Sequence, residues 1–150
     1  MPNSITSIGR AAFQGSGIET ISLPNQLKEI VEYSFYDCYK LKEITIPQSV
    51  VKIGVFSFGE CKNLVSVVLP DTIISISQSA FPSLSSDWYS EGMPLFKNVY
   101  FLGSSEEFDS IIVDDSNPKF SQADKYFYCE SSPTETGNFW HYVDGAPVSW

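Results

Sequence analysis

The chain has 150 residues and a mass of 16.7 kDa, enough for one domain or for a repeat array with a small appendage. Its 43% hydrophobic and 15% aromatic content is sufficient for a buried core and argues against disorder. The net charge of −9 arises in the second half: six basic residues balance six acidic ones through Leu69, whereas three lysines face twelve acids from Pro70 onward. Such a surface repels phosphates, so we expect no nucleic-acid partner. The sequence has no run of 18 or more apolar residues, so it predicts no membrane-spanning helix.

Equivalent residues recur every 23 positions through the first two thirds of the chain. The clearest columns are Pro24, Pro47 and Pro70; Phe35, Phe58 and Phe81; and Cys38 and Cys61. They divide the sequence into units 2–23, 24–46 and 47–69 and an irregular unit 70–101. Because so short a unit buries its apolar face only against its neighbours, the period predicts a solenoid with one coil per unit. The phenylalanine column predicts one ring per coil, stacked about every 4.8 Å.

Each regular unit ends in a segment that fits the pattern L-x-x-L-x-L, at residues 18–23, 41–46 and 64–69. The alternation predicts a short strand, which the following proline ends because it has no N–H to donate. The part of each unit ahead of this strand, such as residues 50–58, predicts a tight turn with one helical turn. These features predict a leucine-rich repeat solenoid, α/β or mostly β, of short parallel strands and tight turns, spanning residues 1–102.

Cys38 and Cys61 occupy equivalent places in successive coils. The functional interpretation is a disulfide or a reactive thiol, and the structural one is a small buried side chain in the core. The first unit is one residue shorter and has Ser16 in this column, which favours the structural interpretation because a small group suffices there.

The outward positions of the predicted strands are candidate contacts with a partner. Thr45, Val68 and Tyr100 occupy the single intervening position of successive strands, and Val65 and Lys97 lie at the preceding outward positions. The valines and Tyr100 form an apolar spot, so we expect a partner protein to dock there.

The fourth unit departs from the repeat after Phe81, with an insertion of about nine residues before the strand pattern returns at 96–101. Insertions in solenoids form loops on one face, which is often the binding face. Trp88 lies in this insertion, where it either contacts a partner or folds over the last coil as a cap.

Residues 103–150 lack the repeat and predict a C-terminal capping segment. Hydroxyls ahead of acids at Ser104 predict the start of a short helix that reaches residue 112. Residues 114–117 predict a solvated turn rather than a calcium site, because the further ligands and glycine of an EF-hand loop are missing. A strand follows at 126–129, and Asp144-Gly145 predicts a hairpin.

The terminal hairpin concentrates aromatic side chains. They are Phe139, Trp140, His141, Tyr142 and Trp150. They either pack onto the end of the solenoid as a cap, which a repeat array needs, or form a platform that binds sugar rings. Both interpretations stay open at the level of sequence.

The sequence offers no candidate catalytic, cofactor or metal site. His141 is its single histidine, and it follows neither a G-x-S-x-G elbow nor any metal-ligand spacing. A P-loop and a dinucleotide-binding glycine motif are also missing. We therefore expect a protein that is not an enzyme.

The N-terminal end of the array is predicted to be uncovered. Ile5 and Ile8 face no other part of this chain, which predicts further coils upstream or self-association at this edge. The first residues have neither the basic nor the apolar region of a signal peptide.

The repeat P-x-x-[VIL]-x-x-I-x-x-x-[AS]-F-x-x-C-x-x-L-x-x-[IV]-x-[IL] resembles that of the BspA-like leucine-rich repeat family of bacterial surface proteins, over residues 2–101. The ending F-W-H-Y-V-D-G-A-P-V-S-W is similar to sequences that follow such arrays. The resemblance implies a secreted or cell-surface protein that acts in adhesion and binds a host or matrix macromolecule. It implies no catalytic residues. The alternative role is a structural cap that displays a longer array.

Overall fold

The chain forms a solenoid with two sheets in a computed structural model, which describes residues 1–82, 93–134 and 136–150. Its strands are β1 Glu29–Ile30, β2 Glu43–Thr45, β3 Lys52–Ile53, β4 Ser66–Leu69, β5 Ser75–Ile76, β6 Asn98–Phe101, β7 Ile112–Val113, β8 Asp124–Tyr128, β9 Phe139–Val143 and β10 Ala146–Ser149. Its helices are α1 Ser105–Asp109 and α2 Pro118–Gln122. A long sheet has the order β10-β9-β8-β6-β4-β2, and a short sheet has the order β1-β3-β5-β7. The predicted leucine-rich repeat solenoid is confirmed.

The long sheet places equivalent residues of successive coils side by side. Parallel pairing sets Ile44 beside Val67 and Val67 beside Val99, and all three side chains are buried. The step from Val67 to Val99 is nine residues longer than the period. Met93 follows Cys61 by the same longer step, so it takes the place of the cysteine in the repeat, and it is also buried. The insertion therefore leaves the register of the core unchanged.

The part of each coil ahead of the strand consists of turns that are hydrogen-bonded to the next coil, so the predicted helical turn is wrong. The Tyr33 N–H donates to the Val55 carbonyl at 3.0 Å and the Phe35 N–H to the Ser57 carbonyl at 2.9 Å. An α-helix would direct these donors back along its own chain. Residues with positive φ recur in two columns: Ala11, Tyr33, Phe56 and Ser79; and Gly15, Asp37 and Glu60.

The core lies between the two sheets and contains a continuous stack of phenylalanines, as predicted. The ring centroids are 5.2 Å apart from Phe13 to Phe35, 5.5 Å from Phe35 to Phe58 and 5.2 Å from Phe58 to Phe81. Phe96, which belongs to the column of Leu41 and Leu64 in the same irregular unit, packs against Phe81 with ring centroids 5.1 Å apart. One ring per coil is thus buried against the next at about the spacing of neighbouring strands.

Both core cysteines are free and fully buried. The Cys38 thiol donates to the Phe13 carbonyl at 3.1 Å, and the Cys61 thiol donates to the Phe35 carbonyl at 3.0 Å. Hydrogen bonding with Cys38 and burial raise the pKa of the Cys61 thiol well above its ordinary value. The same hydrogen bond lowers the pKa of the Cys38 thiol, against the opposing effect of burial. Both thiols are nevertheless buried and bonded to backbone carbonyls, which fits the structural interpretation of this column.

The first unit differs from the prediction in two respects. Residues 18–23 form no strand, although the turn half of the same unit is bonded to the second coil through Phe13 and Ser34 at 2.8 Å. Ile8, predicted to face nothing, is 5% exposed and belongs to the core, whereas Ile5 is half-buried. Self-association at this edge remains a prediction.

Both sheets continue across the domain boundary predicted at residue 102. The strand β7 pairs with β5 in the short sheet, and β8 pairs with β6 in the long sheet. Between them α1 has the predicted N-terminus, a capping box in which Ser104 and Glu107 bond reciprocally. The helix ends at Asp109 rather than at residue 112, because Ile112 has entered β7.

The predicted solvated turn at residues 114–117 holds for the exposed Asp114 and Asp115 but is wrong for Asn117. Its side chain is fully buried and accepts from the Phe81 N–H at 2.8 Å. Its amide nitrogen donates to the carbonyls of Ser77 and Asp114, each at 2.9 Å. Asn117 thereby supplies partners for the fourth coil's backbone where no further regular coil follows.

The predicted hairpin closes the long sheet. Asp144 and Gly145 both have positive φ, at 51° and 81°, as a type I′ turn requires. Because the Trp150 N–H bonds to the Phe139 carbonyl, alternation along β10 points the nitrogen of Pro147 toward the free edge. A residue without an N–H therefore lies where another strand would pair.

Among the residues that the structure describes, neither helix has the length or the apolar composition of a membrane span.

Candidate binding surface

The long sheet has an outer face that points away from the solenoid core. Val68 and Trp140 are buried, yet neither belongs to the core cluster. Alternation along the strands places them on the outer face. Around them lie four tyrosines, and together with Trp140 they are called here the tyrosine face: Tyr100, Tyr126, Tyr128, Trp140 and Tyr142.

Strand register brings these side chains together from distant parts of the sequence. Parallel pairing places Val68 beside Tyr100 and Tyr100 beside Tyr126. Tyr128 lies two residues further along β8, on the same side, and pairs with Trp140 of β9. The tyrosine face therefore depends on the pairing of β6, β8 and β9, and the latter two strands belong to the part of the chain that lacks the repeat.

The rings pack against one another in a continuous cluster. Tyr100 and Tyr126 are stacked with centroids 5.2 Å apart, and Trp140 lies 5.4 Å from Tyr100, 5.3 Å from Tyr128 and 4.9 Å from Tyr142. The Trp140 indole N–H donates to the Phe101 carbonyl at 3.0 Å, so the ring is fixed and its polar atom is satisfied. Trp140 is the buried centre of the cluster.

Two of the surrounding tyrosines remain open to solvent, since Tyr128 is 37% and Tyr142 is 41% exposed. Burial raises the pKa of Tyr142, with a further contribution from Tyr128. Burial also raises the pKa of Tyr100, to which Tyr126 and Glu43 contribute. The phenols therefore stay protonated at neutral pH and present hydroxyls that donate and accept hydrogen bonds.

The predicted contact residues divide into three groups. Thr45, Val65 and Lys97 are exposed and Tyr100 is half-buried, in keeping with outward positions. Val68 also lies on the outer face, but it is 4% exposed, so its predicted role as a direct contact is corrected. Thr45 and Tyr100 flank it in the neighbouring strands and cover it. Trp88 lies outside the described residues.

The sequence pattern assigns neither Tyr126 nor Tyr128 to a binding surface, and it assigns Tyr142 only to the possible platform for sugar rings. The alternation Tyr126-x-Tyr128 within a predicted strand indicated that both share one face of a sheet. It did not indicate which sheet, because the pairing of β8 with β6 spans a segment outside the repeat.

Comparison with known families gives the origin of the solenoid. Residues 1–90 match the family described as the BspA type leucine rich repeat region, with six copies of the repeat. The chain belongs to this BspA-type leucine-rich repeat family. Its resemblance to bacterial BspA-like repeats is thus confirmed.

A solved structure of a leucine rich cell surface protein from Faecalibacterium prausnitzii is similar to this BspA-type chain. The two are 28% identical, with a TM-score of 0.67, over 77% of this chain and 28% of that one. The chain thus corresponds to little more than a quarter of that relative's length. No curated protein matches the sequence.

BspA-type repeats form scaffolds whose extended faces generally mediate protein interactions, rather than enzyme cores. In this chain the His141 ring is stacked on Trp150, with centroids 3.8 Å apart, rather than on the tyrosine face. The face itself combines hydroxyls and ring edges with a few exposed charges. That chemistry suits recognition of a macromolecule.

Proposed function

We propose that this chain is a protein-binding module of a bacterial cell-surface protein and that it contacts its partner through the tyrosine face. The cluster of half-exposed tyrosines around buried Trp140 supports this function. Tyrosine supplies large rigid contact area with a polar tip, and interfaces are enriched in it. The exposed Thr45, Val65 and Lys97 extend the same outer face toward the first coils.

A surface location is supported by the F. prausnitzii relative, which is described as a cell surface protein. The fold supports an adhesive role in the same sense, because stacked coils present one continuous face to a large partner. Secretion and adhesion are thus part of the proposal.

The ring geometry favours a protein over a glycan as the partner. A sugar ring needs an exposed aromatic face to stack on. Tyr100 and Tyr126 cover each other's faces, Trp140 is buried, and Trp150 is stacked on His141. The exposed Tyr128 and Tyr142 carry hydroxyls that can donate and accept hydrogen bonds with the amides and side chains of a protein.

A selection from displayed random peptides tests the proposal. Peptides selected on the full chain are measured against the double variant Y126S/Y128S. The matched control is I74S/I112S, which removes two apolar side chains that are 60% and 69% exposed on the short-sheet side. Circular dichroism and thermal melting verify that both variants fold.

We expect at least a tenfold loss of affinity in Y126S/Y128S and less than a twofold change in the control. Equal binding to wild type and Y126S/Y128S would reject the tyrosine face as the site. A glycan array run in parallel distinguishes the other class of ligand, since binding to glycans alone would replace the proposed function.

A second function, termination of the array, is supported by the hairpin. Pro147 removes a donor from the free edge of β10, and Trp140 fixes the hairpin to β6 through the Phe101 carbonyl. Deleting residues 138–150 tests this role. We expect the truncated chain to self-associate in sedimentation velocity, and a stable monomer would contradict it.

A further inference from the structure

The outer face carries a row of polar side chains immediately beside the tyrosine face. Strand register places Glu43, Ser66, Asn98 and Asp124 next to one another on four successive strands. Each lies two residues before a member of the row that contains Thr45, Val68, Tyr100 and Tyr126. The two rows are therefore about 7 Å apart on the same side of the sheet.

The polar row ends in two exposed carboxylates, Glu43 and Asp124. In the described parts of the chain, no lysine or arginine nitrogen lies within 4.0 Å of either one. The Glu43 charge reaches the tyrosines, because it contributes, after burial and Tyr126, to the raised pKa of Tyr100. Lys125 interacts electrostatically with Asp124, but its ammonium donates to the Ser121 and Ala123 carbonyls rather than to that carboxylate. Among the described residues, both carboxylates are thus without an ion pair and can receive a ligand on the tyrosine face.

The basic residues of this face lie further from the rings. Lys42 and Lys97 precede the polar row, about 10 Å along the strands from the tyrosine row. The carboxylates are nearer, at about 7 Å, which is within the screening length of about 8 Å in physiological salt. The net charge of −9, with its acid excess after Leu69, adds long-range attraction for a cation.

We infer that the partner presents an extended segment with two cationic side chains to this surface, one received by Glu43 and the other by Asp124. The inference rests on the proposed function, since it specifies the partner of the same face. Three strand spacings separate the two carboxylates, about 14 Å. Residues i and i+4 of an extended segment are about 13.5 Å apart and point to the same side.

The geometry also selects the cation. A guanidinium pairs with a carboxylate through two parallel hydrogen bonds in a fixed planar geometry, whereas an ammonium acts as a point charge. The site therefore favours arginine over lysine at both positions. Between the carboxylates, the half-buried Asn98 offers hydrogen bonds to the residue at i+2, whereas Ser66 is buried.

Nine-residue threonine peptides with two arginines test the spacing. One peptide has arginines at its third and seventh positions, and its isomer has them adjacent. We expect at least tenfold tighter binding of the spaced peptide by fluorescence anisotropy, equivalent to about 1.4 kcal/mol. Equal affinities of the two isomers would overturn the inference. A lysine version at the same spacing is expected to bind more weakly, and tighter binding would contradict the choice of arginine.

A pair of charge variants tests the location. E43Q/D124N removes the two carboxylates of the face, whereas E29Q/D115N removes two exposed carboxylates elsewhere and changes the net charge equally. We expect at least a tenfold loss of spaced-peptide binding in the first variant and less than threefold in the second. Equal losses would show nonspecific attraction and overturn the inference.

The outcome is separable from that of the proposed function. Selected peptides that lose affinity for Y126S/Y128S but bind E43Q/D124N normally would retain the tyrosine face as a binding site and reject the cationic segment. Peptides insensitive to both variants would reject both.

Discussion

Two buried serines in the core offer a test of the packing itself. Ser34 and Ser57 precede the stacked phenylalanines in successive coils, and Ala12 and Ala80 occupy the same column on either side. Both serine side chains are fully buried, and within the described chain neither hydroxyl has a hydrogen-bond partner. Because alanine already serves in this column, we expect S34A and S57A each to stabilise the protein.

The size of the effect follows from the lost desolvation penalty. A buried hydroxyl without a partner costs about 1–3 kcal/mol, and deleting it forfeits only the dispersion contacts of one oxygen. We expect about 1 kcal/mol per site and about 2 kcal/mol for S34A/S57A. At a typical urea m value of about 2 kcal/mol/M, the double variant should raise the unfolding midpoint by about 1 M.

Urea unfolding at 25 °C, followed by circular dichroism, measures the shift. The reverse substitution A80S is the matched control, since it introduces the same buried hydroxyl into the next coil and should lower the free energy of unfolding by about 1–3 kcal/mol. Destabilisation by S34A and S57A, or no effect of A80S, would refute the claim that the hydroxyls are unsatisfied.

Three further predictions concern the hairpin and the tyrosine face. W140A should lower the free energy of unfolding by about 3–5 kcal/mol in the same urea assay, because it removes a fully buried indole; a loss below about 1 kcal/mol would contradict its central place. P147V restores an edge N–H, and we expect association that rises with concentration in sedimentation velocity; a monomer at all concentrations would show that Pro147 does not protect the edge. Raised folded-state pKa values of Tyr100 and Tyr142 stabilise the protein below the ordinary tyrosine pKa of about 10, and this stability is lost as the pH rises through the folded values. Melting temperatures should therefore fall more steeply above pH 10 in wild type than in Y100F/Y142F, and parallel profiles would count against these shifts.

The sequence alone determined the repeat and its core. A 23-residue period is a nearest-neighbour property: each coil meets a copy of itself, so the columns of Phe35 and Cys38 predict their own partners in the next coil. The capping box at Ser104 and the Asp144-Gly145 turn are also local, because their hydrogen bonds and dihedral angles involve residues close in the chain.

Tertiary structure decided the features that depend on pairing between unlike segments. No period relates β8 to β6 or β9 to β8, so only the observed register brings Tyr126, Trp140 and Tyr100 onto one face. Val68 lies between Thr45 and Tyr100 of the neighbouring strands and is buried, although its strand pattern alone predicts exposure. Asn117 is buried because its amide reaches Ser77, forty residues earlier. Burial depends on which strand or coil packs beside a residue, and outside the repeat the local sequence does not specify that neighbour.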